Sequence, residues 1–118
     1  MFDVQGYQTV DNGVVLNLSG SFVQQETAEL RRTFHRWLGF YPRLVVLDMA
    51  GVRTIDSAAL GLLIALKNSV EKLGGRLVLC ALPSKILQTF ETTNLLSYFI
   101  VVGTQAQALV FRSQPITY

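Results

Sequence analysis

Two apolar segments near the start of the chain predict a β-hairpin. Phe2–Val10 and Val14–Ser19 flank the triplet Asp11–Gly13, and asparagine followed by glycine is a strong signal for a tight turn between antiparallel strands. Gly20 follows the second segment directly. We therefore expect a strand over Phe2–Val10, a turn, and a second strand over Val14–Ser19 that ends at Gly20.

The rest of the chain alternates between apolar residues at helical spacing and short continuous apolar runs. The first pattern is typical of a helix with one face on the core, and the second of a strand covered on both faces. Gly39 and the pair Gly74-Gly75 are expected to end helices, and Pro83 to lie in the first turn of one. The predicted elements are a helix over Gln24–Leu38, a strand over Leu44–Met49, a helix from Asp56-Ser57 to Leu73, a strand over Leu77–Cys80, a helix over Ser84–Thr92, a strand over Tyr98–Val102 and a helix over Thr104–Phe111.

The order of these elements, β-β-α-β-α-β-α-β-α, predicts an α/β fold. Strands that alternate with helices pair mostly in parallel, whereas the opening hairpin adds an antiparallel pair. We expect a mixed sheet of about five strands flanked by about four helices, rather than a purely doubly wound sheet. The sequence contains no linker, repeat or low-complexity tract, so residues 1–118 are interpreted as a single domain.

Composition favours a compact protein and weakens several functional classes. Half of the 118 residues are hydrophobic and 15% are charged, which predicts a well-filled core. The net charge is only +2, and the one basic cluster, at 31–36, is interpreted as a solvated helix face rather than a nucleic-acid site. Cys80 is expected to be a buried strand residue. The start of the chain lacks a signal-peptide pattern, and the longest apolar run, Ala58–Leu66, is too short to span a membrane, so we expect a cytoplasmic protein without membrane insertion.

Motifs for catalysis or cofactor binding are missing from the sequence. No glycine-rich phosphate loop is present, and one histidine with one cysteine cannot build a typical zinc site. Ser57 lacks the G-x-S-x-G context of a hydrolase nucleophile. We therefore expect no enzyme activity, no metal and no cofactor.

The pair Asp56-Ser57 stands between an apolar strand and a long aliphatic helix. Aspartate and serine are preferred helix N-caps, because their oxygens accept hydrogen bonds from backbone N–H groups that have no partner in the helix. The same position lies at the positive end of the helix dipole, where a phosphate is tolerated. A phosphoserine would present a docked partner with a charge of about −1.5 to −2 in place of a neutral hydroxyl. Capping the helix and carrying a reversible modification are compatible roles.

The run Leu44–Gly61, which contains "TIDSAALG", resembles the central motif of STAS domains, in particular that of the stand-alone anti-sigma factor antagonists. In that family an apolar strand and a short loop precede Asp-Ser-[Ser/Thr/Ala]-[Gly/Ala]-Leu-Gly. The segments Leu73–Cys80 and Phe90–Leu96 match further, and Leu18–Phe22 matches less strictly. In order, these matches cover nearly the whole chain.

The resemblance implies the STAS fold and a protein that acts by binding. In this family the unphosphorylated antagonist binds an anti-sigma factor that is also a serine kinase of the histidine-kinase-like ATPase fold. Phosphorylation of the serine after the aspartate ends the interaction, and a PP2C-type phosphatase restores it. By position, the phosphoacceptor is Ser57. Ala58 replaces a second hydroxyl residue found in some members, and Val23 replaces an acidic residue found in many.

The resemblance also implies a partner-binding surface at the start of the second main helix. Two alternatives keep the same fold: an accessory subunit of a lipid-transport ABC system and a stress-signalling scaffold. A third alternative is a nucleotide-binding protein, although the sequence has no phosphate loop to support it. Leu60 is equally compatible with a place in the core. The candidate contact residues are Phe22, Gln24, Asp56, Ser57, Ala58, Leu60, Gly61, Thr93 and Asn94.

Overall fold

The computed structural model describes residues 2–8 and 12–113, and it contains strands and helices in the predicted order. Single turns of 3-10 helix occur at Gln24–Glu26, Leu96–Tyr98 and Val110–Ser113. The regular elements are β1 (Phe2–Gln8), β2 (Gly13–Phe22), α1 (Thr27–Leu38), β3 (Leu44–Ile55), α2 (Ser57–Lys72), β4 (Arg76–Cys80), α3 (Ser84–Thr92), β5 (Ile100–Val102) and α4 (Gln105–Leu109).

The five strands form one mixed sheet in the order β1-β2-β3-β4-β5. β1 and β2 are antiparallel, and every other neighbouring pair is parallel. This confirms the predicted mixed, mostly parallel sheet with an N-terminal hairpin. Parallel strands in sequential order need crossovers of one hand, and these place the connecting helices on one face of the sheet.

The core has two parts because the central strands are covered on both faces. Leu16, Leu47 and Leu79 pair across β2, β3 and β4 and belong to the larger cluster, which includes buried side chains of α1, α2 and α3. Their neighbours at 15, 46 and 78 point the opposite way, into a smaller cluster with α4. Side chains on both faces are apolar, which explains the continuous apolar runs in the sequence.

A side-chain hydrogen-bond network fixes α4 to the second face. The Gln105 amide donates to Asn17 (2.8 Å) and Asp48, and its oxygen accepts from the Tyr7 hydroxyl at 2.9 Å. Gln105 therefore ties a helix of 5 residues to three neighbouring strands. Cys80 lies buried on the same face, and burial, followed by the negative charge of Asp48, raises the pKa of its thiol from 9.0 to about 12.

β2 and β3 run further than the apolar pattern predicted. β2 does not end at Gly20 but continues to Phe22, with Gly20 at φ 95 beside a register shift. β3 continues past Met49 to Ile55. A Cβ on Gly51 would lie 2.8 Å from Cβ of Ser19, so only glycine allows this close approach of the two strands. Residues 9–11 of the predicted hairpin lie outside the described residues.

Smaller differences concern the last elements. β5 begins at Ile100 rather than at Tyr98, because Leu96–Tyr98 forms a 3-10 turn. Pro83 lies at the N-cap position of α3 rather than in its first turn, and Thr104 caps α4 through a capping box with Gln107. Within the described residues, no helix has both the length and the hydrophobicity to cross a bilayer.

Candidate functional site

The candidate site lies at the edge of the sheet where β2 and β3 end, which we call the carboxyl edge. Phe22 and Ile55 are the last residues of the two strands and pair with each other. The chain turns there into Gln24–Glu26 on one side and into α2 on the other. The carboxyl ends of parallel strands thus bring two loops together, a common place for binding sites in α/β proteins.

Asp56 joins these two loops through its carboxylate. Its Oδ1 accepts from the N–H of Ala59 at 2.9 Å, which caps α2, and its Oδ2 accepts from the N–H of Gln24 at 3.0 Å. Its own N–H donates to the carbonyl of Phe22 at 3.3 Å. Asp56 therefore has the predicted capping role and also fixes the loop that follows β2.

These hydrogen bonds stabilise the charged form of Asp56. The N–H of Ala59, followed by that of Gln24, holds the pKa of the carboxyl below its ordinary value of 3.8. Partial desolvation acts in the opposite direction and is the smaller influence. At neutral pH the residue before Ser57 is thus an ionised carboxylate, and each of its oxygens accepts a backbone hydrogen bond.

Ser57 is the first residue of α2, and its side chain is exposed. Among the described residues, its hydroxyl forms no hydrogen bond. Ala58 is also exposed, whereas Ala59 is fully buried, so Ser57 carries the only hydroxyl in the first turn of the helix. The arrangement presents one accessible hydroxyl at the positive end of a helix of 16 residues.

Gly61 lies one turn after Ser57 on the same side of α2. Apart from the backbone of the helix itself, a Cβ at this position would meet no atom within 4 Å, so the fold does not require a glycine. Glycine inside a helix is less stable than alanine by about 0.5–1 kcal/mol. The structure therefore carries a small energetic cost here that packing does not explain.

We call the exposed and half-buried residues around this hydroxyl the Ser57 surface: Gln24, Asp56, Ser57, Ala58 and Gly61. The sequence predicted all of them as contacts, but it did not predict how Gln24 takes part. The backbone N–H of Gln24 is bound by Asp56, which lies 32 residues away in sequence. Only the pairing of β2 with β3 brings the two together.

Phe22 and Leu60 do not contribute side chains to this surface. Phe22 is fully buried and stacks on Phe2, with ring centroids 4.8 Å apart. The prediction of Phe22 as a surface contact is wrong for its side chain, because the last residue of β2 points into the larger core. Leu60 is only 7% exposed and lies in the same core, which was the alternative for this residue.

Thr93 and Asn94 are exposed but lie apart from the Ser57 surface. They follow α3, and the segment after them leads to Tyr98, whose hydroxyl donates to Asn68 at 3.2 Å. Asn68 comes 11 residues after Ser57, or about 16 Å along α2. Because α3 connects β4 to the parallel strand β5, it runs back along the sheet, and its end at Thr93 and Asn94 lies toward the edge opposite Ser57.

Other features of the described residues do not add catalytic groups to this site. No group of three or more His, Cys, Asp or Glu side chains within 2–8 and 12–113 is arranged to hold a metal ion. A cavity of about 500 Å³ lies over α1 among Arg31, Arg32, His35 and Arg36. None of its lining residues belongs to the Ser57 surface.

Comparison with known proteins identifies the fold family. The family model for the STAS domain matches residues 2–108. The chain belongs to the STAS domain family. This assignment confirms the resemblance to STAS domains that the Leu44–Gly61 run indicated, and the mixed sheet agrees with it.

Proteins similar to this STAS domain are described as anti-sigma factor antagonists. "Putative anti-sigma factor antagonist BtrV" of Bordetella bronchiseptica is 33% identical over 72 residues, and the match spans 60% of this chain and 62% of that relative. An anti-sigma factor antagonist from Mycobacterium paratuberculosis has a TM-score of 0.85 at 19% identity, covering 97% of this chain and 96% of its own. SpoIIAA in its unphosphorylated form has a TM-score of 0.71 at 16% identity, covering 97% and 100%. At these identities the solved structures show a shared fold.

Proposed function

We propose that this STAS domain is a cytoplasmic anti-sigma factor antagonist whose binding is switched at Ser57. In this proposal the unphosphorylated domain binds an anti-sigma factor through the Ser57 surface. The anti-sigma factor is a serine kinase of the histidine-kinase-like ATPase fold, and phosphorylation of Ser57 releases it. A PP2C-type phosphatase then regenerates the binding form. The observation that carries the proposal is the single exposed hydroxyl of Ser57 at the start of α2.

The position of Ser57 suits a residue that is modified rather than one that acts. Its side chain projects from the molecule, and no histidine lies nearby in the sequence to serve as a general base. The chain's one histidine, His35, lies in the last turn of α1, where it lines the cavity over that helix. The hydroxyl is therefore available to the active site of another protein.

The chemistry of phosphorylation explains how such a switch would release a partner. A phosphate adds about −1.5 to −2 charges to a surface that is neutral at Ser57. The neighbouring Asp56 is already an anion, and its oxygens accept from two backbone N–H groups, so a phosphate would place a second negative charge beside it. A docked protein would have to bury or repel this charge, which is costly in an interface.

Small residues beside Ser57 favour close approach of a partner. Ala58 and Gly61 are both exposed and leave the helix backbone bare around the hydroxyl. A kinase must bring its reacting groups to within hydrogen-bonding distance of the serine oxygen. The glycine at 61, which the fold does not need, is accounted for by such an approach.

The names of similar proteins agree with this proposal. The Bordetella relative is described as a putative anti-sigma factor antagonist, and SpoIIAA has been solved in a phosphorylated form as well. The phosphorylated SpoIIAA has a TM-score of 0.70 to this chain at 16% identity. The transfer of binding and phosphorylation to this chain is our proposal.

The decisive experiment combines phosphate mapping with binding. Incubation with the anti-sigma kinase of the same organism and ATP should add one phosphate, detected by intact mass and mapped to Ser57. Ser57→Ala should bind the kinase and resist release by ATP, whereas Ser57→Asp should bind at least tenfold more weakly, because even a single buried charge is costly.

Ser84 provides a matched control because it is also an exposed serine at the first position of a helix. Ser84→Ala should be phosphorylated and released like the wild type. Phosphate on Ser84 in place of Ser57 would refute the assignment of the switch to Ser57. Equal binding by the wild type, Ser57→Ala and Ser57→Asp would leave a STAS module without a controlled serine.

A further inference from the structure

The edge of the sheet opposite the Ser57 surface collects most of the exposed large hydrophobic side chains. We call it the amino edge, because β2, β3 and β4 begin there in register at Gly13, Leu44 and Arg76. Helices that follow parallel strands run back toward this edge, so α1 and α2 end there. The exposed apolar residues at the amino edge include Phe40, Tyr41, Leu73 and Val110, with exposures of 56%, 65%, 40% and 56%.

These side chains come from three separate connections. Phe40 and Tyr41 lie between α1 and β3, Leu73 lies between α2 and β4, and Val110 follows α4. The place of the last connection is fixed by Phe111, whose ring lies 5.5 Å from the guanidinium of Arg76 at the start of β4. Exposed apolar residues spread over neighbouring loops of one edge are typical of an interaction surface.

Tyr41 is held in a conformation that a bulky residue rarely adopts. Its φ is 50, in the left-handed region that favours glycine. Its carbonyl accepts a hydrogen bond from the Asn12 side chain at 2.9 Å, which holds this turn in place. The fold thus keeps a 65% exposed aromatic residue where a smaller one would be less strained.

Basic residues surround these hydrophobic side chains. Arg36 and Lys72 lie in the last turns of α1 and α2, Arg43 directly precedes β3, and Arg76 is the first residue of β4. The carboxylates in the last turns of α2 and α3 are Glu71 and Glu91, and Glu71 is paired with Lys67 at 2.7 Å. Among the described residues, the amino edge is therefore positively charged.

We propose that the amino edge binds the anionic headgroup layer of a lipid bilayer, with Phe40 and Tyr41 at the interface and the basic residues on the headgroups. Aromatic side chains prefer the membrane–water interface, and clustered Lys and Arg bind anionic lipids. The surface of an anionic bilayer is flat and uniformly negative, so it can contact several short basic loops at one edge of the sheet at the same time. A second copy of the chain is disfavoured, because a symmetric contact would bring the same cations together. Bound in this way, the domain would hold Ser57 on the side facing away from the bilayer.

Vesicle sedimentation tests the proposal with two pairs of substitutions. The wild type should bind vesicles of phosphatidylglycerol and phosphatidylcholine in equal parts, bind phosphatidylcholine vesicles poorly, and dissociate at high salt. Arg43→Gln with Lys72→Gln should lower the partition coefficient about twenty-fivefold, since each cation near an anionic surface contributes a factor of about five. Arg53→Gln with Lys85→Gln removes two exposed cations elsewhere and should leave binding within about twofold of the wild type.

The aromatic contribution is tested by Phe40→Ser with Tyr41→Gly. Glycine suits the φ of 50 at position 41, so this variant should fold normally and lose vesicle binding. Trp37, the only tryptophan, has its ring centroid 5.9 Å from that of Phe40, so its emission should shift to shorter wavelengths when anionic vesicles are added.

Four outcomes would overturn the proposal. They are failure to bind anionic vesicles, equal binding to neutral vesicles, equal loss in the Arg53 and Lys85 control, and a dimer in sedimentation equilibrium that the aromatic variant abolishes. In the first case, binding to polyglutamate would indicate an acidic protein partner instead. The test is independent of the Ser57 switch, because it needs neither kinase nor phosphate.

Discussion

Replacement of Gly61 by alanine should make the domain more stable and its partner binding weaker. Apart from the backbone of the helix itself, the new Cβ would have no heavy atom within 4 Å, so no steric cost opposes the substitution. Alanine is favoured over glycine inside a helix by about 0.5–1 kcal/mol. Unfolding entropy of about 2.1 cal/mol/K per residue gives about 0.25 kcal/mol/K for 118 residues. The melting temperature should therefore rise by about 2–4 °C.

The two effects are measured on the same protein samples. Thermal unfolding followed by circular dichroism gives the change in melting temperature, and isothermal titration with the anti-sigma kinase gives the change in affinity. If a partner approaches α2 at Gly61, an added methyl group should weaken binding although the fold is more stable. Gly61→Leu should weaken it further, because a larger side chain projects from the same surface.

Gly75 provides the control for the stability argument. A Cβ there would lie 2.5 Å from the carbonyl oxygen of Pro42 and 2.9 Å from Cγ1 of Val70, so Gly75→Ala should lower the melting temperature. A lower melting temperature for Gly61→Ala would show that the helix needs this glycine and would refute the reasoning. A raised melting temperature with unchanged affinity would remove Gly61 from the interface.

The shifted pKa values of Asp56 and Cys80 lead to three further predictions. Because folding lowers the pKa of Asp56 below 3.8, its contribution to stability is present above that pH and lost as the pH falls through the lowered value. The free energy of unfolding, measured as a function of acid pH, should show this loss in the wild type and a smaller loss in Asp56→Asn. Equal acid sensitivity of the two proteins would contradict the hydrogen bonds to Ala59 and Gln24. The Cys80 thiol should resist iodoacetamide at pH 8 in the folded protein and react after unfolding, because burial raises its pKa from 9.0 to about 12. For the same reason the Cys80 thiol should lower stability as the pH rises from about 9 towards 12, so the fall should be smaller in Cys80→Ala. Rapid labelling of the native thiol would disprove its burial.

The parts of the fold that the sequence predicted are those governed by local pattern. The central apolar runs became β3 and β4, because a strand covered on both faces is apolar at every position. The far half of β3 was missed because its burial does not alternate: two exposed residues stand on each side of buried Val52. That spacing resembles a loop unless the irregular pairing with β2 is known.

The candidate site shows the same division between local and long-range information. The capping of α2 by Asp56 depends on residues three positions apart and could be predicted. The hydrogen bond between Asp56 and Gln24 could not be predicted, because it depends on the pairing of strands across 32 residues. The side chain of Phe22 was assigned to the surface because the sequence does not reveal the register shift near the end of β2. A shift of one residue moves a side chain from one face of the sheet to the other.

The sequential order of the strands has a consequence for how the chain assembles during synthesis. β1 pairs with β2, β2 with β3, β3 with β4, and β4 with β5, so each strand completes its pairing with the one made just before it. No later strand has to insert between two strands that are already present, as it must in a sheet whose order places a late strand between two earlier ones. Loop closure therefore stays local at every step, which favours rapid folding and limits the time for which a sheet edge is exposed to other nascent chains.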